Sequence, residues 1–353
     1  MSKNRKHTPR DLRQMQSLPL EVKVQMTQRR VREWYDYWEG NVYLSFSGGK
    51  DSTVLKHIID QMYDDIPSVF VNTGLEFPEI RRFVRDVKGG KYSCFNPDVE
   101  VLRPEMRFDD VLRMYGYPVI GKAVAHSVSI ARRNPNGKVA RKVFNPDTKG
   151  RFAFNKWSHL IDAPFLVSDK CCEITKKKPS ELYARRTNRK VIVATMAEES
   201  SLRYASWLSN GCNTFEDGKI ASRPMSFWTE QDVLKYLRQY NVPYCSVYGD
   251  IQAKGATSTG CNNESENGVD LETTGYSRTG CVYCLFGCHL ESEPNRIQQL
   301  KATHPRQYDY CLNGGEYVEG LWQPSKEGLG LRKVMDYIGI PYEGGANTHE
   351  QKP

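Results

Sequence analysis

The most regular hydrophobic pattern in the chain is a short apolar run that is followed by a glycine turn and a helical repeat. Residues 42–46 are apolar apart from Ser45, which is typical of a buried strand. After the turn, apolar side chains recur every three or four positions, at Val54, Leu55, Ile58, Ile59 and Met62. This spacing predicts an amphipathic helix that begins near Asp51. A strand, a glycine turn and a helix start in this order predict an anion site.

Further patterns of the same two kinds alternate along the chain. Apolar runs predict strands at 68–72, 99–102 and 190–195. Helical patterns predict one helix that opens at Pro78, a second at 108–115 and a third that is capped by Thr229. A fourth helix is predicted to open at Pro294, and a fifth covers 331–338. Alternating strands and helices predict an α/β fold with a parallel, Rossmann-like sheet.

We divide the chain by these patterns into four parts. A basic N-terminal arm and helix (1–40) precedes a nucleotide-binding core (41–250), which contains a basic insertion (116–160). A loop segment rich in Gly, Ser, Thr and Asn follows and leads into a Cys-x-x-Cys metal hook (251–290). The last part is a helical C-terminal cap (291–353).

The turn after the first strand carries the residue types that a phosphate chain needs. Gly48 and Gly49 allow a ligand to approach the backbone, and the first amide groups of the following helix lack intrahelical acceptors. Ser47 and Ser52 add hydroxyl donors, and Lys50 adds a positive charge. Asp51 is placed to cap the helix or to hold Mg²⁺ through water. We predict that the loop binds a pyrophosphate group.

Two other strand ends supply candidate residues, because ligands bind at the carboxyl ends of parallel strands. Asn72, Thr73 and Gly74 follow the second strand and are candidates for holding an adenosine group. Glu199 and Arg203 follow the fourth strand. There Glu199 can orient a ribose or Mg²⁺, and Arg203 can reach a phosphate. The alternative for this pair is a surface ion pair across one helical turn. Residues 223–250 are interpreted as scaffold.

Charge and cysteine usage restrict the partners. The net charge of +8 permits nucleotide or nucleic-acid partners, and no apolar run approaches membrane-spanning length, so a cytoplasmic protein without membrane contact is expected. Residues 116–160 hold nine basic residues against Asp147, with aromatic residues between them. Either this insertion binds nucleic acid by phosphate contacts and base stacking, or it is solvated and its aromatic residues attach it to the core.

Cys281 and Cys284 form a two-ligand hook, since two intervening residues let both sulfurs turn toward one metal. Spacing alone offers a compact zinc-binding set with Cys261 and Cys288. The remaining isolated cysteines are expected to be buried thiols without chemistry.

Several segments resemble a known superfamily. Residues 47–52, Ser-Gly-Gly-Lys-Asp-Ser, resemble the loop of the PP-loop ATP pyrophosphatases, which share the adenine nucleotide alpha hydrolase-like fold. Residues 71–79 resemble a segment of the phosphoadenosine phosphosulfate (PAPS) reductase family, with Asn72 in place of the usual acid. Glu199-Ser200-x-x-Arg203 is similar to the end of a family signature, although Ala194 and Met196 depart from it.

The resemblance also implies a cofactor. Lys170-Cys171-Cys172-Glu173 looks like the Cys-Cys segment of adenylylsulfate reductases, and residues 275–281 are similar to the family's entry into the hook. In that family the adjacent pair and a distant Cys-x-x-Cys hold a [4Fe-4S] cluster. The resemblance therefore implies Cys171, Cys172, Cys281 and Cys284 as cluster ligands, with Zn²⁺ on the compact set as the alternative.

The reaction expected from these features is ATP cleavage. Members of the reductase family attack the sulfonucleotide with a cysteine near the C-terminus, whereas this chain has no cysteine after Cys311, and its complete loop resembles that of ATP-cleaving members. We expect ATP and Mg²⁺ to bind the loop and pyrophosphate to leave as an acceptor is adenylylated, with Lys50 stabilising the leaving group. Sulfur from a cysteine desulfurase or another thiol donor, assisted by the cluster, then displaces AMP from a nucleic-acid acceptor. The alternatives are a sulfonucleotide reductase that uses an external thiol, and a nucleotide-sensing nucleic-acid-binding module.

Overall fold

The computed structural model describes residues 5–150, 153–216, 220–255 and 269–344. The chain forms two compact units, each built from several segments. Unit 1 comprises 1–72, 76–102 and 180–279, and unit 2 comprises 73–75, 103–179 and 280–353. The division into 1–40, 41–250, 251–290 and 291–353 follows the chain rather than these units and stays a prediction.

The helices and strands are numbered in chain order. The α-helices are α1 Pro9–Gln16, α2 Leu20–Tyr37, α3 Lys50–Asp60, α4 Pro78–Lys88, α5 Phe108–Tyr115, α6 Lys122–Arg133, α7 Lys138–Val143, α8 Lys178–Thr187, α9 Ser201–Asn210, α10 Glu230–Gln239, α11 Arg296–Thr303, α12 Pro305–Leu312 and α13 Leu331–Ile338. The strands are β1 Val42–Ser45, β2 Ser68–Val71, β3 Val99–Leu102, β4 Val119–Ile120, β5 Lys190–Val193, β6 Asn213–Thr214, β7 Ala221–Ser222, β8 Ile251–Ala253, β9 Leu271–Thr273, β10 Leu285–Phe286, β11 Glu316–Val318 and β12 Leu321–Gln323.

Unit 1 is organised around a six-stranded sheet with the order β3-β2-β1-β5-β7-β6. All neighbouring pairs are parallel except β6 with β7. The strand order reverses direction at β1, so the carboxyl ends of β1 and β5 border the crevice where such sheets bind ligands. The fold is therefore the predicted mixed α/β fold with a mostly parallel, Rossmann-like core.

The centre of unit 1 follows directly from the hydrophobic pattern. Val42, Tyr43 and Leu44 of β1 are buried, and the helix after the turn buries Val54, Leu55, Ile58 and Ile59. Helix α3 lies close to α2 and α10, which places its apolar face in the core. The loop between β1 and α3 is consequently held by buried elements on both sides.

Unit 2 is mainly helical and has only short strands. Strands β4 and β10 are parallel, and β11 with β12 forms an antiparallel hairpin. The Tyr117 hydroxyl donates to the Leu329 carbonyl at 2.8 Å, and the Trp322 indole donates to the Gly330 carbonyl at 2.9 Å. These buried bonds fasten the hairpin region to the rest of the unit.

Most predicted elements are confirmed, and three local predictions were wrong or incomplete. The C-terminal helix begins at Arg296 rather than Pro294, because the Asn295 side chain caps it by accepting from Ile297 N and Gln298 N. Residues 251–276 contain β8 and β9, which pair with each other. The predicted helical cap also contains the β11–β12 hairpin. Strands of three residues give too short an alternation to detect.

Across the described ranges, no helix combines the length and apolar character that crossing a membrane requires.

Candidate nucleotide site and cysteine cluster

The glycine turn after β1 is held in a tight shape by its own residues. Gly48 has a φ of +72°, and a Cβ there would lie 2.8 Å from Val84 Cγ2, so the position needs glycine. The Ser47 and Ser52 hydroxyls lie 2.9 Å apart, and Ser47 Oγ accepts from Gly49 N at 3.3 Å. Gly49 is the residue before the first turn of α3. The turn therefore presents the positive end of a buried helix.

Lys50 is buried although it carries a charge. Its side chain is 6% exposed, and Nζ donates to the Ser277 carbonyl at 2.8 Å. Nζ also lies 3.1 Å from Glu230 Oε1, and the Glu230 side chain is 45% exposed. A cation placed in a loop of this kind can stabilise negative charge on a bound phosphate or sulfate group.

The neighbouring carboxylate is incompletely satisfied. Asp51 Oδ1 is buried without a hydrogen-bond partner among the described residues, and Lys50 Nζ is 3.9 Å away. Burial raises the pKa of Asp51, Lys50 lowers it, and Glu199 and Glu230 raise it further. A buried carboxylate oxygen that lacks a donor is suited to a cation, so Asp51 fits the Mg²⁺ ligand that was predicted.

Residues far along the chain complete the loop, and the sequence reasoning missed them. Lys50 N donates to the Tyr248 hydroxyl at 3.1 Å, which lies 2.6 Å from Thr279 Oγ1. Lys50 Nζ also lies 5.5 Å from the centroid of the Tyr248 ring. The interpretation of residues 223–250 as scaffold was therefore incomplete, since Tyr248 contacts the loop directly. The sequence feature that could have pointed to these contacts is that residues 247–250 and 275–281 lie in segments that resemble the reductase family.

Glu199 and Arg203 come together beyond the end of β5. Glu199 forms ion pairs with Arg203 and with Arg278, the latter at 3.4 Å, and accepts from Met196 N at 2.8 Å. Ser200 caps α9 by accepting from Arg203 N. The ion pair given as the alternative is present. Because Glu199 also raises the pKa of Asp51, it lies within electrostatic range of the loop. Its catalytic role and that of Arg203 stay predictions.

The three residues after β2 are divided between the units. Asn72 belongs to unit 1, and its backbone N donates to the Leu102 carbonyl at 2.8 Å. Thr73 and Gly74 belong to unit 2, where Thr73 Oγ1 accepts from Leu75 N at 3.1 Å. Leu75 O in turn accepts from Val282 N at 2.8 Å, which ties this segment to the cysteine hook. Their role in holding adenosine stays a prediction.

The two cysteine pairs lie within one unit and influence one another. The Cys171 thiol hydrogen-bonds Cys172 and lowers the pKa of Cys172, burial opposes this, and Lys122 and Lys176 lower it further. Burial raises the pKa of Cys284 to about 11, and the nearby Cys281 and Cys172 raise it as well. Thiolates that repel one another in this way are stabilised by a metal centre, so the donor set fits a thiolate-bound cluster.

The described side chains around the cysteine pairs do not form a metal coordination sphere. Among the described residues, no three His, Cys, Asp or Glu side chains are grouped closely enough to hold a metal ion. The four-cysteine ligand set thus stays a prediction. In the compact zinc alternative, Cys288 is buried at 1% exposure and Cys261 lies outside the described residues. His289 packs its ring against Trp157 at 5.4 Å between centroids.

Comparisons with known proteins show which family the chain belongs to. The family model described as the phosphoadenosine phosphosulfate reductase domain matches residues 41–121 and 138–285. The adenosine 5'-phosphosulfate reductase of Oceanobacillus iheyensis is 22% identical over 66% of this chain and 75% of its own length. The enzyme of the same name from Staphylococcus epidermidis is 24% identical over 75% of this chain and 87% of its own length.

A solved structure is also similar in part. The phosphoadenylyl-sulfate reductase from Candida auris in its phosphate complex shares 13% identity, with a TM-score of 0.36, over 68% of this chain and 90% of that chain. The family model covers well over half of the residues, in two segments that include the phosphate loop and the cysteine hook. The chain therefore belongs to the phosphoadenosine phosphosulfate reductase family of the PP-loop superfamily.

Proposed function

We propose that the protein is a sulfonucleotide reductase that cleaves adenylylsulfate, or its 3'-phosphorylated form, with an external thiol. One observation carries this choice: the adjacent pair Cys171 and Cys172 lies in the same unit as Cys281 and Cys284. Beyond the larger effect of burial, Cys172 raises the pKa of Cys284, and beyond the larger effects of its hydrogen bond with Cys172 and of burial, Cys284 and Cys281 raise the pKa of Cys171. This is the donor set that the resemblance to adenylylsulfate reductases implies. Relatives that bear the adenosine 5'-phosphosulfate reductase name support the same choice.

The phosphate loop would hold the phosphosulfate group of the substrate. Lys50 neutralises its charge, and the helix start at Gly49 favours an anion. The Lys50 contact with the Ser277 carbonyl must be exchanged for contacts to the ligand as it binds. Arg203 and Arg278, both held by Glu199, are the further cations of this site.

The attacking sulfur would come from another molecule. Of the cysteines after the hook, Cys288 and Cys311 are buried at 1% and 0% exposure, and burial raises the pKa of Cys288 to about 12. A buried neutral thiol is a poor nucleophile. An external thiolate attacks the sulfate sulfur, the S–O bond to AMP breaks, and AMP leaves. A second external thiol then attacks the resulting S-sulfonate, which releases sulfite and a disulfide. Cytoplasmic reductants supply such thiols.

The four cysteines would hold a [4Fe-4S] cluster as the resident group. When bound, the cluster supplies an iron–sulfur centre that polarises or binds sulfur. Lys122 and Lys176 lower the pKa of Cys172, so they favour the thiolate form that ligation requires.

The test starts with anaerobic purification and measurement of iron, acid-labile sulfide and zinc. Sulfite release from sulfur-labelled adenylylsulfate with dithiothreitol or thioredoxin is then measured. We expect both iron and turnover to fall to background in C172S and in C284S. The matched control, C94S, changes a cysteine of unit 1 and should retain both. Full iron content in C172S, or no sulfite from the iron-loaded protein, would contradict the proposal.

A second function is favoured by one specific feature, the buried Asp51 Oδ1 without a donor. ATP binds together with Mg²⁺, for which Asp51 is a suitable ligand. In addition, residues 47–52 contain every residue of the loop motif that they resemble in the ATP-cleaving members of the superfamily. In this alternative an acceptor oxygen attacks the α-phosphorus, pyrophosphate leaves, and sulfur from a persulfide donor displaces AMP. The acceptor would be nucleic acid and the donor a cysteine desulfurase.

The two functions separate in one experiment. Pyrophosphate release from ATP with Mg²⁺ is measured beside sulfite release from adenylylsulfate, with tRNA and DNA as acceptors. D51N should abolish Mg²⁺-dependent pyrophosphate release, and the exposed D250N is its matched control. Acceptor-dependent pyrophosphate release without any sulfite release would replace the reductase by the adenylating enzyme.

A further inference from the structure

One segment of unit 2 carries the net charge of the whole protein. Residues 116–160 contain nine Lys and Arg against Asp147 alone, a net +8, which equals the net charge of the full chain. The remaining sequence is balanced, with 41 basic and 41 acidic residues. A charge excess this concentrated is a local feature and not a property of the fold.

The segment lies partly outside the family core. The family model matches up to residue 121 and resumes at 138, so α6 falls in the unmatched stretch. Helix α6 packs through Val124, Ala125, Val128 and Ala131, and Arg132 anchors it by donating to the Ala163 and Phe165 carbonyls. Helix α6 is thus firmly attached to the rest of unit 2 by its inner face, and its outer face is exposed.

Exposed cations are concentrated from the end of α6 onward, and all of them except Arg133 lie in the stretch that the family model matches. We define the basic surface as six exposed side chains of α6, α7 and the residues after them: Arg133, Lys138, Arg141, Lys142, Lys149 and Lys156. None of the six forms an ion pair with any described residue. Helix α7 has no buried residue, and Lys138 lies one turn from both Arg141 and Lys142. Like charges at this spacing destabilise a helix, so the arrangement serves something other than folding.

Among the residues of the segment that the structure describes, the Phe, Tyr and Trp side chains are buried or half-buried. Tyr117 and Phe144 are buried, and Phe154 and Trp157 are half-buried. Trp157 packs against His289 and lies under Lys156 Nζ at 5.0 Å from its ring centroid. In this described part of the segment, the exposed cations are not accompanied by exposed Phe, Tyr or Trp rings, which favours phosphate contacts over base stacking.

We propose that the basic surface binds the phosphate backbone of double-stranded nucleic acid. The cations contact phosphates without reading bases, so affinity depends on duplex charge and salt. This inference does not depend on which reaction the nucleotide site performs. It gives the protein a second binding surface in addition to the phosphate loop.

The test uses the full chain and fluorescence anisotropy with labelled duplex DNA, duplex RNA and single-stranded DNA of equal length. With six phosphate contacts, affinity should fall by roughly 1,000-fold between about 50 and 200 mM salt. The variant K138E/R141E/K142E should weaken duplex binding on the order of 100-fold and reduce the salt slope by about 3.

The matched control, K235E/R306E/K326E, removes the same charge from three exposed positions elsewhere and should bind nearly as the parent does. Circular dichroism checks that both variants are folded, and sulfite release from adenylylsulfate, which needs no nucleic acid, should be the same in both. Equal weakening in the two variants would overturn the proposal, as would tighter binding of single strands than of duplexes. Preference between duplex DNA and duplex RNA identifies the source of the backbone.

Discussion

The cations near the phosphate loop and those of the basic surface are held in opposite ways. Lys50 lies 3.1 Å from Glu230, and Arg203 and Arg278 both pair with Glu199. The six cations of the basic surface have no carboxylate partner in the described part of the chain. The first set lies within the matched family core, whereas Arg133 lies in the stretch that the family model does not match.

This difference in pairing follows from whether the cation is buried or exposed before a ligand binds. A buried cation must be paired before a ligand arrives, because an isolated charge in the interior is costly. Its partners also fix its position, which a reacting site requires. An exposed cation needs no partner, since water solvates it, and it keeps its full attraction for a polyanion. Pairing therefore holds Lys50 in place for the single small anion of the proposed site, whereas the unpaired cations of the basic surface suit the many phosphates of a polyanion.

A buried cation with a purely structural role gives the largest expected effect. Lys23 is 2% exposed, and its Nζ lies 2.7 Å from Asp232 Oδ2. K23M should lower the free energy of unfolding by about 3–5 kcal/mol, because it leaves a buried carboxylate unpaired. Urea denaturation measures this loss. The control K235M, on the exposed face of α10, should change stability by less than about 0.5 kcal/mol. A loss in K23M as small as that of K235M would contradict the role.

Lys50 should affect turnover much more than stability. K50M should slow the reaction by about 100- to 1,000-fold, as removal of one donor from a charge-stabilising site does. Its carboxylate partner Glu230 is half-exposed, so the partner can be solvated and the unfolding free energy should fall less than in K23M. Sulfite release and pyrophosphate release both report turnover. The exposed K326M is the control, and turnover of K50M within threefold of the parent would exclude Lys50 from the chemistry.

Removing the carboxylate partner of Lys50 should modestly increase the affinity for the nucleotide, whereas removing Lys50 itself should impair the reaction. E230Q frees Lys50 for an incoming anion, and it also removes a charge that raises the pKa of Asp51. Because the pair is partly exposed, the gain is at most about 1 kcal/mol, or roughly fivefold in affinity for adenylylsulfate. Calorimetry measures it, with the exposed E316Q as control. Weaker binding in E230Q would show that pairing positions Lys50 rather than competing with the ligand.

The basic surface should give the smallest effect on stability. K142M removes a like-charge contact with Lys138 one turn away in α7 and should stabilise the protein by about 0.2–0.5 kcal/mol. Thermal unfolding with replicate scans detects this change. The control K149M lies outside any helix and should leave stability unchanged. Destabilisation by K142M would mean that this cation is paired in solution, which would remove the contrast with the loop.

Local sequence patterns predicted the strand, glycine turn and helix around residues 42–62 to within a residue or two and several other elements to the residue. Strand β3 and helices α5 and α13 have the predicted bounds, and Thr229 caps α10 as expected. The prediction of the basic insertion left its two alternatives open, since sequence does not show whether an aromatic ring is buried. The structure buries Phe144 and leaves the cations exposed. The hairpin β11–β12 was not predicted, because its strands are too short to show alternation.

The amino-acid sequence by itself determined the elements whose information lies within a few neighbouring positions. The apolar run of β1, the glycines at 48 and 49 and the helical spacing after Asp51 together specify a strand, a turn and a helix start, and local sterics and hydrogen bonding need nothing further. Only the tertiary structure decided which distant residues complete the site. Tyr248 and Ser277 reach Lys50 across 198 and 227 positions of chain, and within unit 2 Cys172 is near enough to raise the pKa of Cys284 beyond the larger effect of burial. Such contacts depend on how the sheet and helices pack, and no periodicity in the sequence records them.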